Sequence, residues 1–163
     1  MLDLAIPIVK SDNPKIPITD IEIGYDTPWQ KLHFKTIESA YRRSPFYEYY
    51  IDDLMMFFEG RYRFLYDFNM EILKTVCGLI KIPFRVGEST EYVKENTEIV
   101  DLRNGIHPKI NRRTPDPDFV APLYTQVFSD KWGFMPDLSI LDLLFNTGPE
   151  TKDILLSATK IGQ

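Results

Sequence analysis

Near the C-terminal end of the chain, the stretch "FMPDLSILDLLFNTGP" (residues 134–149) sets three polar side chains into an apolar run. Six of the eight residues from Leu138 to Phe145 are apolar, yet Ser139, Asp142 and Asn146 interrupt them at i, i+3 and i+7. On a helix these three fall within an arc of roughly 60°. Either the stripe faces water on an otherwise buried helix, as amphipathic helices do, or it lines a pocket. In a pocket Asp142 needs a donor from another element, because a carboxylate buried alone costs several kcal/mol. His33 and Lys109 are candidate donors, and an imidazole beside Asp142 would form a general base with its orienting carboxylate.

The chain has two histidines, and they differ in setting. His33 lies on the apolar face of a predicted helix, either as a satisfied core residue or as a catalyst. His107 precedes Pro108, which favours an extended, reachable position on a loop. The loop "IHPKINRR" could clamp a phosphate or diphosphate with Lys109, Arg112 and Arg113, or be simply a solvated charged loop. Asn69 falls inside an apolar stripe, where it either satisfies a backbone group or lines a pocket. Trp132, in the turn "DKWGF", is the aromatic most apt to stack on a sugar ring.

The elements that would position these groups follow from periodicity. "DTPWQKLHFKTIESAYRR" reads as a helix capped at Thr27, with Pro28 in the first turn and Gln30 completing a capping box. Its inner face carries Trp29, Leu32, His33, Thr36, Ile37 and Ala40. A second helix begins at "SPFYEYYIDDLMMFFEG", capped by Ser44, broken near Asp52 and Asp53 and ended by Gly60. A third, "YRFLYDFNMEILKTVCGLIKI", buries Leu65, Phe68, Ile72, Leu73, Val76 and Ile80 and stops at Pro83. Asp137 should cap the helix that carries the polar stripe, Gly148 with Pro149 should end it, and "PETKDILLSA" offers a final short helix. "LAIPIVK", "IPITDIEIGY", "FRV", "EYV" and "LYTQVF" read as short strands, the first at an edge because Pro7 interrupts it. Residues 101–122 show no period. The expected fold is α+β, a helix-rich single domain over residues 1–163 with a small, mainly antiparallel sheet.

Composition narrows the function classes. A formal net charge of −5 and a sequence pI near 5.1 argue against nucleic acid as the main partner. Cys77 is the single cysteine, so there is no disulfide framework, and no Cys/His spacing suggests a zinc site. No metal and no cofactor is expected. Glycine-rich phosphate loops, nucleophile elbows, paired-histidine zinc motifs and EF-hand loops are absent from the sequence. No apolar run is long enough for a membrane span and the start is not a signal peptide, which makes a cytoplasmic location the expectation.

Together "WQKLHFKTIESAYRRSPFYEYY", "FLYDFNMEIL", "IHPK" and "YTQVFSDKWGFMPDLSILDLLFNTGP" resemble the WbqC-like protein family of bacteria, over about Ile6 to Pro149. The resemblance implies association with surface-polysaccharide assembly of the O-antigen type, and an aminoacyl (glycine) transferase role has been suggested for some members. His33, Asn69, His107, Pro108, Lys109, Tyr124, Gln126, Gly133, Phe134, Ser139, Asp142 and Asn146 match motif positions, which adds Tyr124 and Gln126 to the candidate ligand-binding set. Family members usually carry a further N-terminal segment, and its absence from this chain is expected.

Two functions are open at this stage. One is transfer of an acyl or aminoacyl group to an amino sugar or nucleotide-sugar, with His33 or His107 as base, Asp142 holding the acceptor and the Lys109–Arg113 loop taking the phosphate. Its partners would be a nucleotide-sugar or glycan intermediate and an activated acyl or aminoacyl donor. The other is a non-catalytic module that binds a glycan or a glycosyltransferase through Trp132.

Overall fold

Trp29, Ile37 and Tyr41 recur at multiples of four residues and commit the first long helix, α1 (Trp29–Tyr41), to one buried face. The computed structural model describes residues 4–13, 15–89, 101 and 118–159. After α1 come α2 (Tyr47–Leu54), α3 (Met56–Glu59), α4 (Leu65–Leu79), α5 (Ser129–Trp132), α6 (Ile140–Thr147) and α7 (Thr151–Ser157), with 3-10 turns at Ile18–Asp20 and Gly148–Glu150. The expected strand "EYV" and the loop carrying His107, Lys109, Arg112 and Arg113 lie outside the described residues.

The expected sheet is not there. Among the described residues the chain has no strand, only isolated antiparallel bridges joining Ile8 to Ile23, Glu22 to Phe64 and Phe119 to Thr159. The α+β assignment is therefore corrected to a helical fold. Local chemistry explains why pairing stops so early. Pro7 has no N–H to extend the first bridge. Pro17 and the 3-10 turn that follows it end the segment around Ile23 on one side, and Phe64 leads directly into α4 on the other. Where ladders would continue, side chains take over the backbone groups. The Tyr25 hydroxyl accepts from the Tyr62 N–H at 2.9 Å and donates to the Tyr62 carbonyl at 3.0 Å. "FRV" and "LYTQVF" likewise form no strand.

The core is aromatic and packed edge to face. Phe68 meets Trp29, Phe57 and Tyr62 with ring centroids 5.9, 5.8 and 5.3 Å apart and interplanar angles above 80°, a geometry favoured by the ring quadrupoles. Phe145, fully buried on α6, touches Tyr41 and Tyr47. It thereby ties α6 to the ends of α1 and α2. Each such ring contributes roughly 1.5–3 kcal/mol by leaving water. Leu32 and Leu73, expected inside, are about half exposed, and Asn69 faces outward beside the buried Phe68.

Helix ends also depart from expectation. Thr27 makes no capping bond and Gln30 completes no capping box; its amide donates instead to the Phe57 and Gly60 carbonyls at 2.9 and 2.6 Å, closing α3. Ser44 does not cap α2, which starts after Phe46 with a break at Met55. The Ser44 hydroxyl is buried with no hydrogen-bond partner among the described residues. At α4, Ile82 N–H bonds the Cys77 carbonyl and Lys81 N–H the Gly78 carbonyl, a Schellman ending with Lys81 at φ 57°. Pro83 follows this stop instead of causing it.

Gly148 ends α6 as expected, at φ 53°. A Cβ there would lie 2.5 Å from the Phe46 ring. Gly148→Ala should therefore lower stability by about 3 kcal/mol, from left-handed strain and overpacking combined. Lys81→Gly should raise it by about 0.5–1 kcal/mol by removing the same kind of strain without a clash. Urea unfolding of the two variants checks both signs.

Candidate functional site

Asp142 is 5 % exposed, although it sits in the first turn of α6. Ser139 caps that helix, its hydroxyl accepting from the Leu141 N–H, and Asp137 does not. The cap places the Asp142 carboxylate beside the positive end of the helix dipole, which offsets part of its desolvation by about 0.3–1 kcal/mol. A phenol supplies more. Tyr124 donates to Asp142 Oδ2 at 2.6 Å, and the phenol of Tyr41, the last residue of α1, lies near enough for the Asp142 charge to act on it. Burial and the adjacent carboxylate push the Tyr41 phenol up to about 12 and raise that of Tyr124 as well. Both phenols are thereby kept protonated, and Tyr124 donates.

Gln126 extends this cluster outward. Its amide nitrogen donates to the Tyr124 hydroxyl at 3.2 Å and to the Met135 carbonyl at 2.8 Å, while its oxygen accepts from the Met135 N–H at 2.8 Å. One side chain thus grips both backbone groups of Met135 and closes the loop that contains α5. Asn146 turns back into α6 and donates to the Asp142 carbonyl at 2.7 Å. The polar stripe therefore divides by depth: Asp142 faces inward, Ser139 is exposed and Asn146 is half-buried.

Over this brace lies a cleft of about 190 Å³. Phe119, Tyr124 and Phe134 supply aromatic lining, Leu143 aliphatic lining, and Ser139 and Asp137 polar groups. Tyr124 and Phe134 meet edge to face at 5.6 Å. The Tyr124 side chain therefore both hydrogen-bonds Asp142 and lines the cleft.

The structure brings together Tyr124, Gln126, Ser139, Asp142 and Asn146. It does not pair His33 with Asp142. The His33 ring meets Trp29 at 5.1 Å and its Nε2 lies 3.2 Å from the Ala5 carbonyl, so it is a buried, satisfied histidine whose affinity for a proton is lowered by burial. Asn69 faces outward, away from any buried stripe. Trp132 is 65 % exposed with Lys131 Nζ 5.0 Å from its ring, and it does not line the cleft. Tyr41 was not among the residues singled out from the sequence. Its signal was present, since it continues the Trp29, His33, Ile37 series on α1 by four more residues.

Fold and site define a helical protein with a small aromatic cleft beside a buried carboxylate and the tyrosine that donates to it. Residues 1–114 match the WbqC-like protein family, and the chain belongs to that family. No curated protein and no solved structure matches the chain. The matched residues include His33 and end ahead of the Asp142 cluster. Among the described residues, no helix is long and apolar enough to cross a membrane and no group of acidic, His and Cys side chains could hold a metal ion.

Tyr124→Phe should cost about 1–3 kcal/mol, because it removes a donor from a buried charge. The Tyr41 phenol titrates higher in the folded state than its ordinary value of 10, so its contribution is fully present below pH 10 and is lost as pH rises through about 12. Alkaline unfolding followed by tyrosinate absorbance should show that loss, and the Tyr41→Phe variant should show less of it. His33 has the opposite pH sign: its lowered folded value makes stability fall as pH drops below its ordinary 6.5. His33→Gln should flatten this acid limb.

Proposed function

We propose that this chain serves in surface-polysaccharide assembly by holding one sugar residue of a glycan intermediate in the cleft above Asp142. The observation that carries this reading is the cleft's make-up. Aromatic rings of Phe119, Tyr124 and Phe134 offer the flat apolar surface on which the C–H face of a pyranose stacks, and the Ser139 hydroxyl offers a polar contact at the edge. Family membership supports the general pathway, since the WbqC-like resemblance implies glycan assembly.

Size supports a single ring. A cleft of about 190 Å³ is smaller than the roughly 300–1,000 Å³ of pockets that enclose drug-sized ligands. It suits a monosaccharide or a short acyl group; a whole nucleotide-sugar would extend beyond it. Of the groups expected to drive aminoacyl transfer, His33 is engaged by Ala5 and Trp29 and Asp142 by Tyr124, which supports binding over transfer by those residues.

Titration of isotope-labelled protein with free hexoses, hexosamines and N-acetylhexosamines tests this. Amide shifts should move at Leu138–Leu143 and around Phe134, and Phe134→Ala should weaken the response. An unresponsive cleft, or an identical response after Phe134→Ala, would contradict the assignment.

A further inference from the structure

We propose that Asp137 is the specificity residue of the cleft and that it selects a ligand carrying a cation, namely the ammonium group of an unacylated amino sugar. The proposal rests on the reading of the cleft as a sugar site and adds to it the charge of the sugar.

Asp137 lines the cleft, is exposed and adopts φ 57°, a left-handed conformation. Aspartate reaches that region more readily than most residues when its short side chain bonds the local backbone. Here it makes no such bond. Ser139 has taken the capping role, and the Asp137 carboxylate has no hydrogen-bond or ion-pair partner among the described residues. Glycine would hold the same turn with less strain. The turn therefore does not account for a carboxylate at this position.

The surroundings indicate what the carboxylate is suited to meet. No lysine or arginine is among the described residues that line the cleft, and apart from Asp137 its polar side chains are the hydroxyls of Ser139 and Tyr124. The Tyr124 hydroxyl is already committed to Asp142. A phosphate or carboxylate ligand would meet an uncompensated negative charge beside apolar walls. An ammonium group would form a charge-assisted hydrogen bond to Asp137 while the sugar ring stacks on the aromatic side.

The test compares D-glucosamine in its ammonium form with N-acetyl-D-glucosamine, using amide shifts at Leu138–Leu143, on wild type, Asp137→Asn and Asp137→Gly. Asparagine tolerates the left-handed backbone and removes only the charge. Glucosamine should bind wild type more tightly than the N-acetyl sugar. Both variants should lose affinity for it by about fivefold, the effect of one charge-assisted contact at a half-open surface, with no change for the N-acetyl sugar. Asp137→Gly should meanwhile raise the melting temperature, which a structural role for the carboxylate would not produce. Equal binding of both sugars, an equal loss for both in Asp137→Asn, or a lower melting temperature in Asp137→Gly overturns the proposal while leaving the cleft as a sugar site. Silence of the wild-type cleft toward both sugars overturns the cleft reading and the proposal with it.

Discussion

A single buried carboxylate organises the C-terminal third of this protein. Taking Asp142 out of water would cost several kcal/mol if it stood alone. Tyr124 arrives from the irregular segment before α5 to donate to it, α6 contributes its own dipole, and the Tyr41 phenol of α1 stands within reach of its charge. Separate parts of the chain therefore meet around this carboxylate. Phe145 adds apolar weight to the same junction by packing on Tyr41 and Tyr47. The cleft is a by-product of that meeting, because the ring that donates to Asp142 also forms part of its lining.

Side chains do the work elsewhere done by strands. Tyr25 grips the N–H and carbonyl of Tyr62, and Gln126 grips those of Met135, each satisfying two backbone groups that a ladder would otherwise pair. Gln30 does the same for the two carbonyls at the end of α3. Buried backbone polar groups need partners of some kind, and a polar side chain of the right length serves as well as a neighbouring strand. Loops held in this manner can carry function on irregular backbone while remaining tied to the helical core.

Periodicity made the helices legible and the sheet misleading. α1, α4 and α6 show apolar residues at three- and four-residue spacing, and each is found within a few residues of its expected limits. Alternating residues in "IPITDIEIGY" carry the strand signal equally well, but pairing depends on partners that Pro7, Pro17 and the start of α4 take away. Such partners are not visible in a local window. The inward face of α1 correctly hid His33, while Leu32 on its margin stayed exposed because no element among the described residues covers that side. Asp142 could be seen to need a donor; that the donor is Tyr124 depends on how the irregular segment before α5 packs on α6. Ser139 and Asp137 were both plausible caps, and only backbone geometry decided between them.

Native-state hydrogen exchange on Asp142→Asn is the most direct test of the carboxylate's organising role. If Asp142 anchors the segment through Tyr124, replacing its charge should speed exchange at the Met135 amide, which Gln126 holds, and at neighbouring loop amides. Amides inside α4, around Val76, should keep their wild-type protection. Unchanged protection at Met135, or an equal loss across α4, would show that the loop is held by something other than this carboxylate.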